Sequence, residues 1–120
     1  MTPDYEFILP YPPSVNSYWR RRGMQYFIAP KGQQYRRAVT EIIKQLGLDN
    51  KSRARMKIKI IADVPDRRRR DLDNILKAVL DSLEHSDFVC DDNQFDVIHL
   101  KRGELIPGGR LGIKVTEIEK

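Results

Sequence analysis

Apolar positions recur along the chain in two periods. Tyr5, Phe7 and Leu9 alternate with Glu6 and Ile8, which predicts a short strand. It stops at Pro10-Tyr11-Pro12-Pro13, since proline cannot donate to a sheet ladder. Residues 14–17 read as a turn, 18–22 as adjoining aromatic and basic residues, and 24–28 as a second short strand. Tyr35, Ala38, Val39, Ile42, Ile43 and Leu46 form one continuous apolar face and predict a helix over 30–46, with Arg36, Arg37 and Lys44 on the other side and Gly47 as its stop. After a polar connector, residues 56–64 give the clearest strand. Ile58, Ile60, Ala62 and Val64 share one face, and Pro65 ends it.

A loop of Asp66 and four arginines comes next, because adjacent like charges repel in regular structure. Leu72, Ile75, Leu76, Val79, Leu80 and Leu83 predict a second helix over 72–84, with Asp71 at its N-cap. Residues 86–94 read as a loop. Residues 95–101 and 110–118 alternate as two strands joined through Pro107-Gly108-Gly109, which predicts a hairpin. The expected fold is α+β: one small domain over 1–120, a mixed or antiparallel sheet with two main helices packed on it.

Composition narrows the class. The chain has 120 residues, 40% hydrophobic and 32% charged. That is too apolar for a disordered chain, and no apolar run approaches the ~20 residues of a membrane span. No signal peptide is visible, so a cytoplasmic protein with no membrane association is expected. A lone cysteine, Cys90, excludes an intrachain disulfide, and with only His85 and His99 beside it a zinc finger is excluded as well.

Charge is segregated. Residues 1–70 hold 16 basic and 6 acidic side chains; residues 71–120 hold 6 basic and 11 acidic. A basic half calls for a polyanion, and nucleic acid is the usual one. An acidic half in the same small domain calls for something cationic, such as a metal. The segment Arg67-Arg68-Arg69-Arg70-Asp71-Leu72-Asp73-Asn74 puts both needs side by side. Guanidinium forks suit phosphate, and carboxylates suit magnesium or manganese, which bridge them to phosphate oxygens. At about 100° per residue, Asp73, Lys77 and Glu84 fall together on the border of the apolar stripe. An acid holding metal beside a lysine is a usual nuclease arrangement. Asp91 and Asp92 supply further acids if the fold returns them to the helix start.

Simpler readings stand beside these. Asp71 serves equally as an N-cap, Asp73 as a partner of the helix dipole or of Lys77 in a surface pair, and Asp91-Asp92 as a turn. The arginine run reads also as a solvated loop. Tyr18 and Trp19 suit either base stacking or the core. Lys31-Gly32 and Gly108-Gly109-Arg110 lack the spacing of a nucleotide-binding loop, so no nucleotide cofactor is expected.

Three stretches carry a resemblance. Pro12-Pro13-Ser14-Val15-Asn16, the central run from Pro65 to Asn74 followed by Lys77, and Phe88-Val89-Cys90-Asp91-Asp92 resemble, in order and spacing, motifs of the RusA family of Holliday junction resolvases. The resemblance implies a homodimeric, magnesium-dependent endonuclease that cuts opposed strands of four-way DNA junctions, with manganese as a substitute ion. It implies catalytic roles for Asp71, Asp73, Asp92 and Lys77, with Asp91 as a further metal ligand. It implies DNA contact by Asn16, Arg67, Arg68, Arg69 and Arg70. A junction has approximate two-fold symmetry, and a symmetric dimer presents one site to each of two equivalent strands.

Overall fold

The structure is a computed structural model and describes residues 4–118; of these, the side chains of Val15 and Asn16 are outside the description. In chain order the elements are β1 (Asp4–Leu9), a single helical turn α1 (Val15–Tyr18), β2 (Trp19–Arg22), β3 (Gln25–Ile28), α2 (Pro30–Gln45) and β4 (Met56–Val64). A 3₁₀ turn (Leu72–Ile75) then runs into α3 (Leu76–His85), and a second 3₁₀ turn (Asp92–Gln94) leads to β5 (Phe95–Leu105) and β6 (Arg110–Glu117).

Four strands form one mixed sheet in the order β1-β6-β4-β5. β6 is antiparallel to both β1 and β4, and β5 is parallel to β4. The alternation in β4 decides which face is covered: Met56, Ile58, Ile60, Ala62 and Val64 are buried, while Lys57, Lys59 and Ile61 are exposed. The buried face packs against Tyr35, Val39 and Ile43 of α2 and Ala78, Val79 and Leu83 of α3. Helices therefore cover one face of a mixed sheet, as the hydrophobic pattern implies.

The expected hairpin of the last two strands does not form. β5 and β6 flank β4 on opposite sides, Leu105 pairing with Val64 and Arg110 with Asp63. The segment 106–109 crosses the end of β4, where the Ile106 N–H donates to the Val64 carbonyl at 2.9 Å. Gly109 makes the crossing possible. Its φ is +69°, and a Cβ there would lie 2.9 Å from Tyr11 Cβ and 3.0 Å from Pro65 Cδ. β4 reaches β5 through the helical crossover that a parallel pair requires.

β5 runs four residues past its predicted end at 101, to Leu105, and three further boundaries differ. Residues 19–22, which show no alternation of apolar side chains, pair with β3 as a ribbon separate from the main sheet. Leu46 is 50% exposed, because α2 ends at Gln45 and Leu48 packs on the core instead. The second helix begins with a 3₁₀ turn, so α-helical geometry starts only at Leu76. Gly32, in the first turn of α2, is a packing residue: a Cβ there would sit 2.5 Å from the Tyr18 carbonyl oxygen.

Candidate active site

The arginine-rich loop after β4 is organised by one carboxylate. Asp66 accepts the backbone N–H of Arg68 at 2.9 Å, the Arg68 guanidinium, and Arg70 Nη2 at 2.6 Å. The Arg68 contacts, reinforced by Arg70, hold the Asp66 carboxyl well below the usual carboxylate range. Arg70 also donates to the Asp66 and Arg68 carbonyls and lies over the Tyr11 ring, 6.0 Å from its centroid. Its side chain is only 19% exposed. Four like charges thus form an ordered loop because a neighbouring acid neutralises part of the run. Arg67 and Arg69 have no such carboxylate partner among the described residues.

This loop forms one wall of a groove of about 780 Å³. Arg68, Arg69, Arg70, Asp71 and Asn74 line that wall; the segment 11–14 and Lys31 line the other. Asn16 belongs to α1, beside that second wall, and its side chain lies outside the described residues.

Asp71 closes the groove. It occupies the cap position of the 3₁₀ turn, but its carboxylate caps nothing; its carbonyl accepts the Asn74 N–H at 3.1 Å. Asp73 is exposed in the same turn. No ion pair joins Asp73 to Lys77 among the described residues, so the surface-pair reading does not describe them. The Lys77 ammonium instead lies over the Trp19 ring, 5.9 Å from its centroid.

On the far side of α3 the chain returns through Asp91 and Asp92. Asp91 is a genuine cap: its Oδ1 accepts the Asn93 N–H at 2.9 Å, and Gln94 Oε1 accepts the Asp91 N–H at 2.9 Å. Asp92 is tied to α3 through its N–H, which donates to Glu84 Oε1 at 2.8 Å. Carboxylate oxygens of Glu84, Asp91 and Asp92 lie within 4.8 Å of one another. Partial burial pushes the Asp92 carboxyl up, and repulsion from Glu84 and Asp91 adds to this, while Lys77 pulls it down. Three crowded oxygen donors with one nearby ammonium fit a hard divalent cation such as magnesium or manganese.

The fold brings Asp91 and Asp92 to Glu84 of α3, and Asp92 within electrostatic reach of Lys77. Asp71 and Asp73 lie in the turn that opens the same helix, outside the three-carboxylate group. Glu84 belongs to that group although its residue type gives it no role in the motif reading. The signal for it was its helical spacing, seven residues after Lys77 on the same border. Tyr18 is fully buried and donates from its hydroxyl to Asp81, which also pairs with Arg36 at 2.8 Å. Burial pushes the Tyr18 hydroxyl up to about 12. Tyr18 is therefore a core residue, and Trp19 packs on the core and supports Lys77.

A family model described as "Endodeoxyribonuclease RusA" matches residues 10–116. The chain is 64% identical over 116 residues, 97% of each chain, to a crossover junction endodeoxyribonuclease of Enterobacteria phage HK97. It is 42% identical over 114 residues, 95% of each chain, to a protein of the same name from Shigella sonnei (strain Ss046). Against that of Escherichia coli (strain K12) the identity is 40% over 114 residues, again 95% of each chain.

Proposed function

This chain belongs to the RusA family of endodeoxyribonucleases, and on that premise we propose that it is a Holliday junction resolvase, acting in DNA recombination and repair. It cuts opposed strands of four-way DNA junctions by phosphodiester hydrolysis, as a homodimer and with a divalent cation. The observation that carries this reading is a single segment, 68–77, which lines an arginine-rich groove with Asp71 and also bears Asp73 and Lys77, while the fold returns Asp92 within electrostatic reach of that lysine.

The residues divide the work. Arg69 and Arg68 hold the phosphate backbone along the groove, Arg67 contacts DNA from the same loop, and Arg70 keeps the loop in shape while contributing to its charge. Magnesium would be held by Asp92, with Asp91 and Glu84 crowded beside it, and Asp71 and Asp73, the further acids of the motif, would serve it from the turn that opens the same helix. Such a cation, when bound, neutralises phosphate charge and acidifies water. Lys77, packed on Trp19, places its ammonium where negative charge develops on the phosphate. Asn16 contributes a further DNA contact.

The test is cleavage by the purified protein of a mobile four-way junction, a flap and a duplex of equal length, with magnesium and with chelator. Paired cuts in the junction alone, and only with magnesium, are expected. Equal cutting of the flap would assign the protein to branched DNA in general. No cutting of any substrate would leave a DNA-binding protein whose acids are caps and turns.

A further inference from the structure

Beyond Trp19, the β2–β3 ribbon has no place in the site described above. It stands apart from the main sheet, with Trp19 paired to Ile28, Arg20 to Phe27, Arg21 to Tyr26 and Arg22 to Gln25. Gly23, at φ +60°, makes the turn. Partners in an antiparallel pair share a face. Each face of the ribbon therefore sets an arginine opposite an aromatic ring, and the Arg21 guanidinium lies 5.7 Å from the Tyr26 ring centroid. The apolar side chains are displayed: Met24 is 89% exposed, Tyr26 69% and Phe27 42%.

Charge identifies the partner. Between Glu6 and Glu41 the sequence holds six basic side chains and no acidic one. Arg20, Arg21 and Arg22 have no carboxylate partner among the described residues. Two copies meeting through this ribbon would bring six arginines together without counter-charge, which opposes association. Alternating guanidinium groups and exposed rings match nucleic acid, where phosphates take the cations and unstacked bases take the rings. Position agrees with this. The ribbon springs from Trp19, on which Lys77 rests, and four residues at about 3.3 Å each carry its tip about 13 Å beyond, or roughly four base-pair steps.

We propose that the β2–β3 ribbon recognises the branch point of the DNA, Tyr26 and Phe27 stacking on bases that lack a stacking neighbour there and Arg20 and Arg22 holding the flanking phosphates. This rests on the junction reading above and gives it a source of selectivity. Inside a duplex every base face is covered, so rings gain nothing; at a branch point faces are open.

The experiment measures affinity in chelator, so that nothing is cut, for a four-way junction carrying 2-aminopurine at the branch point and for a duplex of equal length. The aromatic variant is Tyr26→Ala with Phe27→Ala, both exposed positions; circular dichroism checks its fold. Its junction affinity is expected to fall about tenfold or more with duplex affinity unchanged, and the 2-aminopurine quenching seen with the wild type is expected to vanish. Arg20→Ala with Arg22→Ala is expected to weaken both substrates and to flatten the salt dependence by about two units. A junction-to-duplex ratio preserved in the aromatic variant overturns the ribbon's role while the resolvase reading stands. Loss of a wild-type dimer in sedimentation of that variant overturns it too, by making the ribbon a contact between copies. A wild-type protein without preference for junctions overturns both readings.

Discussion

Asp92 carries its charge against its surroundings. Burial and the carboxylates of Glu84 and Asp91 raise its affinity for a proton, and only Lys77 opposes them. In the folded chain this carboxyl holds its proton to a higher pH than in the unfolded one. Without cation, stability should therefore fall as pH rises from the ordinary carboxylate range through the raised value, because the native state binds more protons there. Asp92→Asn should remove that slope and raise the chelator-treated melting temperature at neutral pH. Magnesium at ten times its Kd should stabilise the wild type by about 1.4 kcal/mol and the variant far less. Melting curves across pH, with and without magnesium, check both; a variant that still gains the full increment would remove Asp92 from the cation site. Lys77 has a different task. Its ammonium rests on Trp19 and cannot ligate a cation, so Lys77→Ala should lower single-turnover cleavage by about 10²-fold or more at saturating magnesium. Full recovery of rate with added magnesium would show instead that the lysine only shapes the cation site.

Among the elements, α1, α2 and α3 are joined by one polar knot. The Tyr18 hydroxyl and the Arg36 guanidinium both donate to Asp81, inside an otherwise apolar contact. Asp81→Ala leaves both donors short of an acceptor and should cost roughly 1–3 kcal/mol in urea unfolding. Arg36 shows how a border position on a helical wheel works: it lies only about 20° from Ile43 at the edge of the apolar stripe, unlike Arg37 and Lys44, and its length lets it reach across to α3. β4 was fully legible, since one face is buried and the period of two has no rival. β2 was not, because Trp-Arg-Arg-Arg contains no alternation to read. The partners of β5 were illegible for another reason: periodicity marks strands, and a loop spanning 106–109 serves a hairpin and a crossing over Pro65 equally well. The candidate site divides the same way. Asp71, Asp73, Lys77 and Asp92 stand in motifs that sequence displays. Helical spacing puts Glu84 on the border it shares with Lys77, but its meeting with Asp91 and Asp92 depends on the second 3₁₀ turn docking against α3, a tertiary return that local spacing does not encode.

Across the whole molecule, charge is sorted in space as well as along the chain. Arginines and lysines line the groove and the ribbon, and carboxylates gather at the two ends of α3. Such sorting makes binding depend steeply on salt, because phosphates release counterions when they meet the cationic surface. The structure also says that the arginines of the loop are not equivalent. Arg69 lines the groove without a carboxylate partner among the described residues, whereas Arg70 is largely buried, paired with Asp66 and packed on Tyr11. Arg69→Ala should then weaken junction binding and reduce the slope of log affinity against log salt by about one unit, with the urea midpoint unchanged. Arg70→Ala should lower the urea midpoint, since it frees Asp66 and slackens the loop. Its salt slope should change less than that of Arg69→Ala, because the lost cation was already matched by an acid. Measuring both quantities for both variants separates binding from scaffolding within two adjacent residues. If Arg70→Ala flattens the slope as much as Arg69→Ala and leaves the midpoint alone, Arg70 must leave Asp66 when DNA arrives, and the loop's clamp is a resting state that the substrate opens.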